Sequence, residues 1–229
     1  MSTGGGLAVA DVMLFTGLAR AISPEAIFVI GNAFGLSTFV LAELFPEALI
    51  DVIDAESEGD DNQRGSELTR SISAEHYPNV HLTVGYSPGD IPRCTRAERY
   101  ELAFVDGLHT NAQMIQDFRG ILPILSSHCV VVFHDVALCR MQTAWAEVRR
   151  TAEAEGFRGF ELPWTPFGLS VIVRGAPVVE EYLSLIAGDF ERHRYHLGIP
   201  GQLNAFPLVL AMSPVELFLK VKQKLERMI

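Results

Sequence analysis

The chain has 229 residues, 48% of them apolar and 20% charged, with a formal net charge of −10. That size and balance describe a globular chain with one large core, or one domain plus an appendage. The acidic surface repels nucleic acid and anionic membranes, so neither is expected as a partner. The three cysteines, Cys94, Cys129 and Cys139, are scattered, with no zinc-type spacing and no disulfide framework. Reduced thiols in a cytoplasmic protein are therefore expected.

Residues 7–22 are largely apolar, but no basic leader precedes them and Asp11 interrupts the run. The run is also shorter than the ~20 apolar residues of a transmembrane helix. A helix packed on the domain is expected, and no integral membrane segment. Strand and helix then alternate. Ala26–Ile30 reads as a strand, followed by the turn Gly31-Asn32-Ala33-Phe34-Gly35 and a helix over Ser37–Phe45. Leu49–Ile53 is a second strand ending at Asp54. A polar loop runs from Glu56 to Gly65, and a helix from Ser66 to Glu75. Val80–Val84 is a third strand, with a turn at Gly85-Tyr86-Ser87-Pro88-Gly89. Leu102–Val105 is a fourth strand, and Asn111–Leu125 a helix capped by Thr110 or Asn111. Cys129–Phe133 is a fifth strand and Gln142–Glu155 a helix. Phe157–Leu162 and Leu169–Arg174 form a hairpin at the sheet edge. The short apolar strands suit a parallel sheet covered on both faces, with right-handed crossovers.

Beyond Gly175 the pattern changes. Val178–Asp189 reads as helical and Glu191–Pro207 as irregular, with His193, Tyr195 and His196 as an ordinary polar loop. Ser213, Pro214 and Glu216 open a final amphipathic helix through a capping box. The division expected is one α/β domain over residues 1–175 with a helical extension over 176–229 packed on it. The apolar first helix and the amphipathic last one are compatible with a homodimer.

Chemistry concentrates at strand ends. In an open α/β sheet, ligands bind at the carboxyl edge of the strands. Gly31 and Gly35 let the backbone approach a ligand at a helix N-terminus, although their spacing is not the dinucleotide fingerprint. Asp54 lies 23 residues after Gly31, close to the ~20 expected of an acid that holds ribose hydroxyls. Asp51 or Glu56 could serve instead. Asp106 and Asp135 end two strands and repel each other unless a proton or cation lies between them. Their oxygens suit Mg²⁺ or Ca²⁺, and a neighbouring imidazole turns the choice toward a transition metal. His109, three residues past Asp106, suits a general base. His134 either ligates or packs beside the site.

Together these residues resemble a class I S-adenosylmethionine-dependent methyltransferase. The nearest likeness is to bacterial small-molecule O-methyltransferases of the macrocin and mycinamicin type and to cephalosporin-hydroxylase-like proteins. The matching segments are Ile30-Gly31 through Gly35-Leu36-Ser37-Thr38, Ile53-Asp54, Gly85-Tyr86-Ser87, Phe104-Val105-Asp106-Gly107-Leu108-His109, Asp117 and Phe133-His134-Asp135. The resemblance implies a Rossmann-like, doubly wound, mostly parallel seven-stranded sheet with an antiparallel final strand and extra terminal helices. It implies S-adenosylmethionine over Gly31, Asn32, Gly35 and Ser37, with Asp54 on its ribose and Ser87 and Asp106 beside it. It implies Mg²⁺, or another divalent cation, on Asp106, His134 and Asp135. His109 would take the proton of an acceptor hydroxyl on a sugar, natural product or phenol. Two positions depart from the family pattern. Val29 stands where relatives carry an acid facing the cofactor ammonium, and Ser126-Ser127-His128 replaces a Gly-Gly turn. Val29 opens a second reading, a methyltransferase-fold binding protein whose cofactor site has decayed. A metal-dependent hydrolase would use the same acids and imidazoles but gives Gly31, Gly35 and Asp54 no joint role.

Overall fold

A computed structural model describes residues 6–57 and 59–190. The expected C-terminal helix from Ser213 and the loop with His193, Tyr195 and His196 lie outside the described residues. Among the described residues, no helix is long and apolar enough to cross a membrane.

Seven strands form one sheet in the order β3-β2-β1-β4-β5-β7-β6. They are β1 (Ala26–Ile30), β2 (Leu49–Asp54), β3 (Val80–Val84), β4 (Tyr100–Val105), β5 (Leu125–Phe133), β6 (Arg158–Leu162) and β7 (Leu169–Arg174). Strands β1 to β5 pair in parallel, and β7 runs antiparallel to both β5 and β6. The hairpin therefore closes the sheet with its second strand inserted inside its first. Burial explains the order. Leu169–Val173 is buried at every residue, as a strand flanked on both sides must be, whereas β6 alternates and takes the edge.

The helices are α1 (Val9–Ala19), α2 (Leu36–Leu44), α3 (Asp60–His76), α4 (Ile91–Cys94), α5 (Asn111–Ile121), α6 (Gln142–Ala154) and α7 (Pro177–Ile186). Leu14, Phe15 and Leu18 of α1, Leu41 of α2 and Val179 and Leu183 of α7 cover one sheet face. Met114 and Phe118 of α5 and Trp145 and Val148 of α6 cover the other, over Phe28, Tyr100 and Phe133. So α7, the first element of the C-terminal extension, packs on the same core as the sheet.

Three boundaries differ from the sequence reading for physical reasons. Helix α3 starts at Asp60, not Ser66, because Asp60 and Asp61 occupy its first turn, where negative charge is favoured. Gly65 is a packing residue there and not a break, since a Cβ would lie 2.0 Å from the Ala33 carbonyl oxygen. Strand β5 starts at Leu125 because a one-turn 3₁₀ segment, Leu122–Ile124, ends the preceding helix early. The short α4 was not anticipated. It leads into a buried polar knot in which the Tyr100 hydroxyl donates to Asp51 Oδ2 at 2.6 Å and the Arg96 amide donates to the same oxygen at 2.8 Å. Asp51, a candidate ribose partner by sequence, is thus buried in a structural role.

Candidate functional site

The register sets the site. Val105 of β4 pairs with Phe133 of β5 and with Ile30 of β1. The next residues, Gly31, Asp106 and His134, therefore leave the sheet side by side. The ladder continues into them, with the Asp106 amide on Ile30 O at 2.8 Å and the His134 amide on Val105 O at 3.0 Å.

On the β1 side lies a glycine cradle. Gly31 has φ +93° and no room for a side chain, and Gly35 has φ +81° at the N-cap of α2. No side chain caps α2, so its first amides point to the carboxyl edge of the sheet as a helix N-terminus suited to an anion. Asp54 pins the cradle. Its Oδ2 accepts from the amides of Asn32 (2.6 Å) and Ala33 (3.1 Å), and its Oδ1 from that of Glu56 (2.7 Å). The Asn32 side chain is spent inside the fold, donating to Thr69 Oγ1 and Ala33 O and accepting from the Thr38 hydroxyl. Asn32 thus shapes the cradle through its side chain. Ser37 is buried in the first turn of α2.

Ser87 stands across from the cradle in a separate network. Its hydroxyl donates to Asp117 Oδ1 at 2.6 Å, and Gln113 donates to the same oxygen at 2.7 Å and to Ser87 O at 2.8 Å. Burial pushes the Asp117 carboxyl up to about 6, against the pull of Ser87 and Gln113. The folded carboxyl then holds its proton at a higher pH than the unfolded one. The stability of that neutral form is complete below 3.8 and is lost as pH rises through about 6. Charging Asp117 in the fold costs ~3 kcal/mol. Asp117→Asn keeps the Oδ1 acceptor and removes that cost. Its melting temperature is expected to exceed that of the wild type by roughly 5–10 °C at pH 7.5, with the difference closing toward pH 4. Calorimetric scans across that range check it, and a pH-independent difference would contradict it.

The third part is an acid–imidazole cluster. His109 Nε2 lies 3.1 Å from Asp106 Oδ1 and 3.1 Å from Asp135 Oδ2. His134 Nδ1 lies 3.1 Å from Asp106 Oδ1 and 3.4 Å from Asp135 Oδ1. Its Nε2 lies 3.3 Å from Asp11 Oδ2. Burial works against charge on Asp106, His109 and His134, but the cluster overrides it. The imidazoles hold Asp106 below the usual carboxylate range, and Asp106, with its acidic neighbours, raises both His109 and His134. Asp135 takes a left-handed backbone, φ +57°, which is rare for a residue other than glycine. The contact with the β6–β7 turn fixes it, since the Val136 amide donates to Gly168 O and that of Leu138 to Phe167 O. The rings of Phe104 and Phe167 flank His134 at 5.7 and 5.1 Å. A small cavity lined by Asp106, His109, Met114, Asp117, His134 and Met141 joins the cluster to the Ser87 network.

Two donors here were not singled out by sequence. Asp11 is wholly buried within an otherwise apolar helix, and that isolation was its only signal. Cys139 brings its sulfur to His109 and Asp135, with the three ligand atoms within 4.8 Å of one another. Asp106, His134 and Asp135 form a second such group. Burial, helped by Asp135 and Asp106, pushes the Cys139 thiol up to about 12.

A family model described as a methyltransferase domain matches residues 28–136. No curated protein matches the chain in sequence. Among solved structures, the O-methyltransferase TomG from Streptomyces achromogenes, involved in tomaymycin synthesis and in complex with SAM, superposes with a TM-score of 0.60 at 22% identity, over 74% of this chain and 81% of that one. An O-methyltransferase from Bacillus cereus in complex with SAH gives 0.59 at 15% identity, over 73% and 82%. A methyltransferase from Geobacter sulfurreducens gives 0.57 at 16%, over 74% and 80%. At such identities the structural likeness speaks for the fold, and the family match speaks for the segment that carries the cradle and the cluster. The chain has the fold of these methyltransferase structures, and its residues 28–136 match the model of a methyltransferase domain.

Proposed function

We propose that the protein transfers the methyl group of S-adenosylmethionine to a hydroxyl of a small molecule, with a divalent cation at the acid–imidazole cluster. The observation that carries this reading is the convergence of His109, His134, Asp106 and Asp135 at the strand ends next to the glycine cradle. The cradle fits the donor. Gly31 and Gly107 bring bare backbone to the edge, and the uncapped α2 N-terminus suits the methionine carboxylate. Asp54 retains lone pairs for a ribose hydroxyl beside the amides it already accepts. The cluster fits a cation. Asp135 Oδ1 is buried and receives no hydrogen bond from any described residue.

S-adenosylmethionine supplies an electrophilic methyl on a sulfonium. When bound, a divalent cation would supply a Lewis acid for the acceptor oxygen, and its charge would offset the carboxylates that raise the His109 pKa. His109 is the most exposed of the two imidazoles and two carboxylates of the cluster. It takes the acceptor proton at Nε2, exchanging a carboxylate contact for the hydroxyl. Asp106 and Asp135 hold its ring at the strand ends. The acceptor oxygen then bonds to the methyl carbon as the carbon–sulfur bond breaks, leaving neutral S-adenosylhomocysteine and an ether.

Calorimetric titration with S-adenosylmethionine, followed by incubation with hydroxylated sugars, phenols and natural products with and without EDTA, tests the proposal. Micromolar binding and EDTA-sensitive methyl transfer are expected. Val29, buried on the strand before the cradle, favours the binding-protein reading, because no acid there meets the cofactor ammonium. Absence of S-adenosylmethionine binding would put that reading first.

A further inference from the structure

Asp11 belongs to the N-terminal helix, outside the matched methyltransferase segment, yet its carboxylate ends on a side chain of the cluster. It is fixed there. Asp11 Oδ2 also accepts from the Ala8 amide at 2.8 Å, so the start of α1 holds the carboxylate in place. His134 is equally fixed, with its side chain 2% exposed and its ring between Phe104 and Phe167. A histidine that donates Nε2–H to Asp11 turns its Nδ1 lone pair to the other side. On that side lie Asp106 Oδ1 at 3.1 Å and Asp135 Oδ1 at 3.4 Å, the latter without a hydrogen bond from any described residue. Three acceptors then converge on one point, which a proton on Nδ1 or a bound cation satisfies. A carboxylate behind a ligating imidazole is the usual way proteins fix its tautomer and strengthen its donor nitrogen.

We infer that Asp11 is the orienting partner of His134 in a His–Asp–Asp centre for a first-row transition ion such as Mn²⁺, Fe²⁺ or Co²⁺, rather than for Mg²⁺. The inference rests on the cation reading proposed above and specifies its ion. Mg²⁺ takes oxygen ligands in near-ideal octahedral geometry and keeps several waters. A buried imidazole nitrogen is a borderline-soft donor that suits first-row transition metals. His109 Nε2 and Cys139 Sγ, both beside Asp135, add donors of the same character. Asp11 would thereby give the N-terminal helix a part in the centre: it positions His134 and touches no ion itself.

Chelated protein titrated with Mn²⁺ and followed by pulsed electron paramagnetic resonance tests this directly. One Mn²⁺ per chain with nitrogen coupling is expected, displaced by Mg²⁺ only at roughly 100-fold excess or more. The coupling should persist in His109→Ala and vanish in His134→Gln. Asp11→Asn should weaken Mn²⁺ binding by about 10–100-fold. If His134→Gln fails to fold, nitrogen coupling retained in His109→Ala assigns the ligand to His134, and its loss there would overturn that assignment. Mn²⁺ bound without nitrogen coupling, or displaced by equimolar Mg²⁺, would overturn the inference and leave the cation reading standing. Unchanged affinity in a folded Asp11→Asn would overturn the role of Asp11. No divalent binding by a protein that still binds S-adenosylmethionine would overturn the inference and the cation reading together.

Discussion

His109→Ala is expected to lower turnover by about 10²–10⁴-fold, the span that general-base catalysis supplies, while S-adenosylmethionine affinity changes by less than about threefold. The reasoning is geometric. His109 lies on the loop after β4, and its Nε2 reaches Asp106 and Asp135, not the cradle. Asp54, Thr69 and Thr38 hold the Gly31 turn. Removing the imidazole also relieves no packing strain, because its side chain is 30% exposed. Single-turnover rates and calorimetric titration separate the two effects. Equal losses of turnover and cofactor affinity would show that His109 supports the cradle, and would remove its assignment as the base.

How much of this was legible in the sequence depends on the range of the interaction. Strand ends carried most of it. A short apolar run broken by an acid marks where a parallel strand leaves the sheet, so Asp54, Asp106 and Asp135 all fall at the expected edge. Adjacency of β4 and β5 followed from the alternation, and with it the meeting of His109, His134, Asp106 and Asp135. What escaped were contacts across long chain separations. Asp11 and His134 meet through the packing of α1 over the sheet, which no periodicity encodes. The bracing of the Asn32 side chain was also hidden, because its partner Thr69 lies on a helix whose start the polar, glycine-containing stretch disguised. Glycine carried two meanings that sequence alone does not separate. Gly65 permits close approach within a helix, whereas Gly31 permits a left-handed turn.

That second glycine joins the two halves of the site, and its substitution has the largest expected structural effect. Gly31 has φ +93°, and a Cβ built there would lie 2.1 Å from the Asp106 carbonyl oxygen and 2.7 Å from its carbonyl carbon. The obstacle is backbone, so no side-chain rotation relieves it. Either the Gly31 turn lifts, breaking the 2.8 Å bond from its amide to Ile53 O, or the end of β4 retreats, straining the Asp106 amide on Ile30 O. The first displaces the cradle. The second displaces the carboxylate that contacts both imidazoles. Gly31→Ala should therefore cost ~2–4 kcal/mol and lower the melting temperature by roughly 5–15 °C. S-adenosylmethionine affinity should fall by at least about 10-fold. Gly156→Ala separates the two causes. Gly156 has φ +83°, but a Cβ there would meet only Arg174 Cδ at 4.0 Å, so that variant feels the backbone conformation alone, ~1–2 kcal/mol. If thermal scans and titrations showed Gly31→Ala to be as mild as Gly156→Ala, the contact between Gly31 and Asp106 would not couple the cradle to the cluster. A loss of cofactor affinity confined to Gly31→Ala would place that coupling in the single crossing where β1 and β4 leave the sheet.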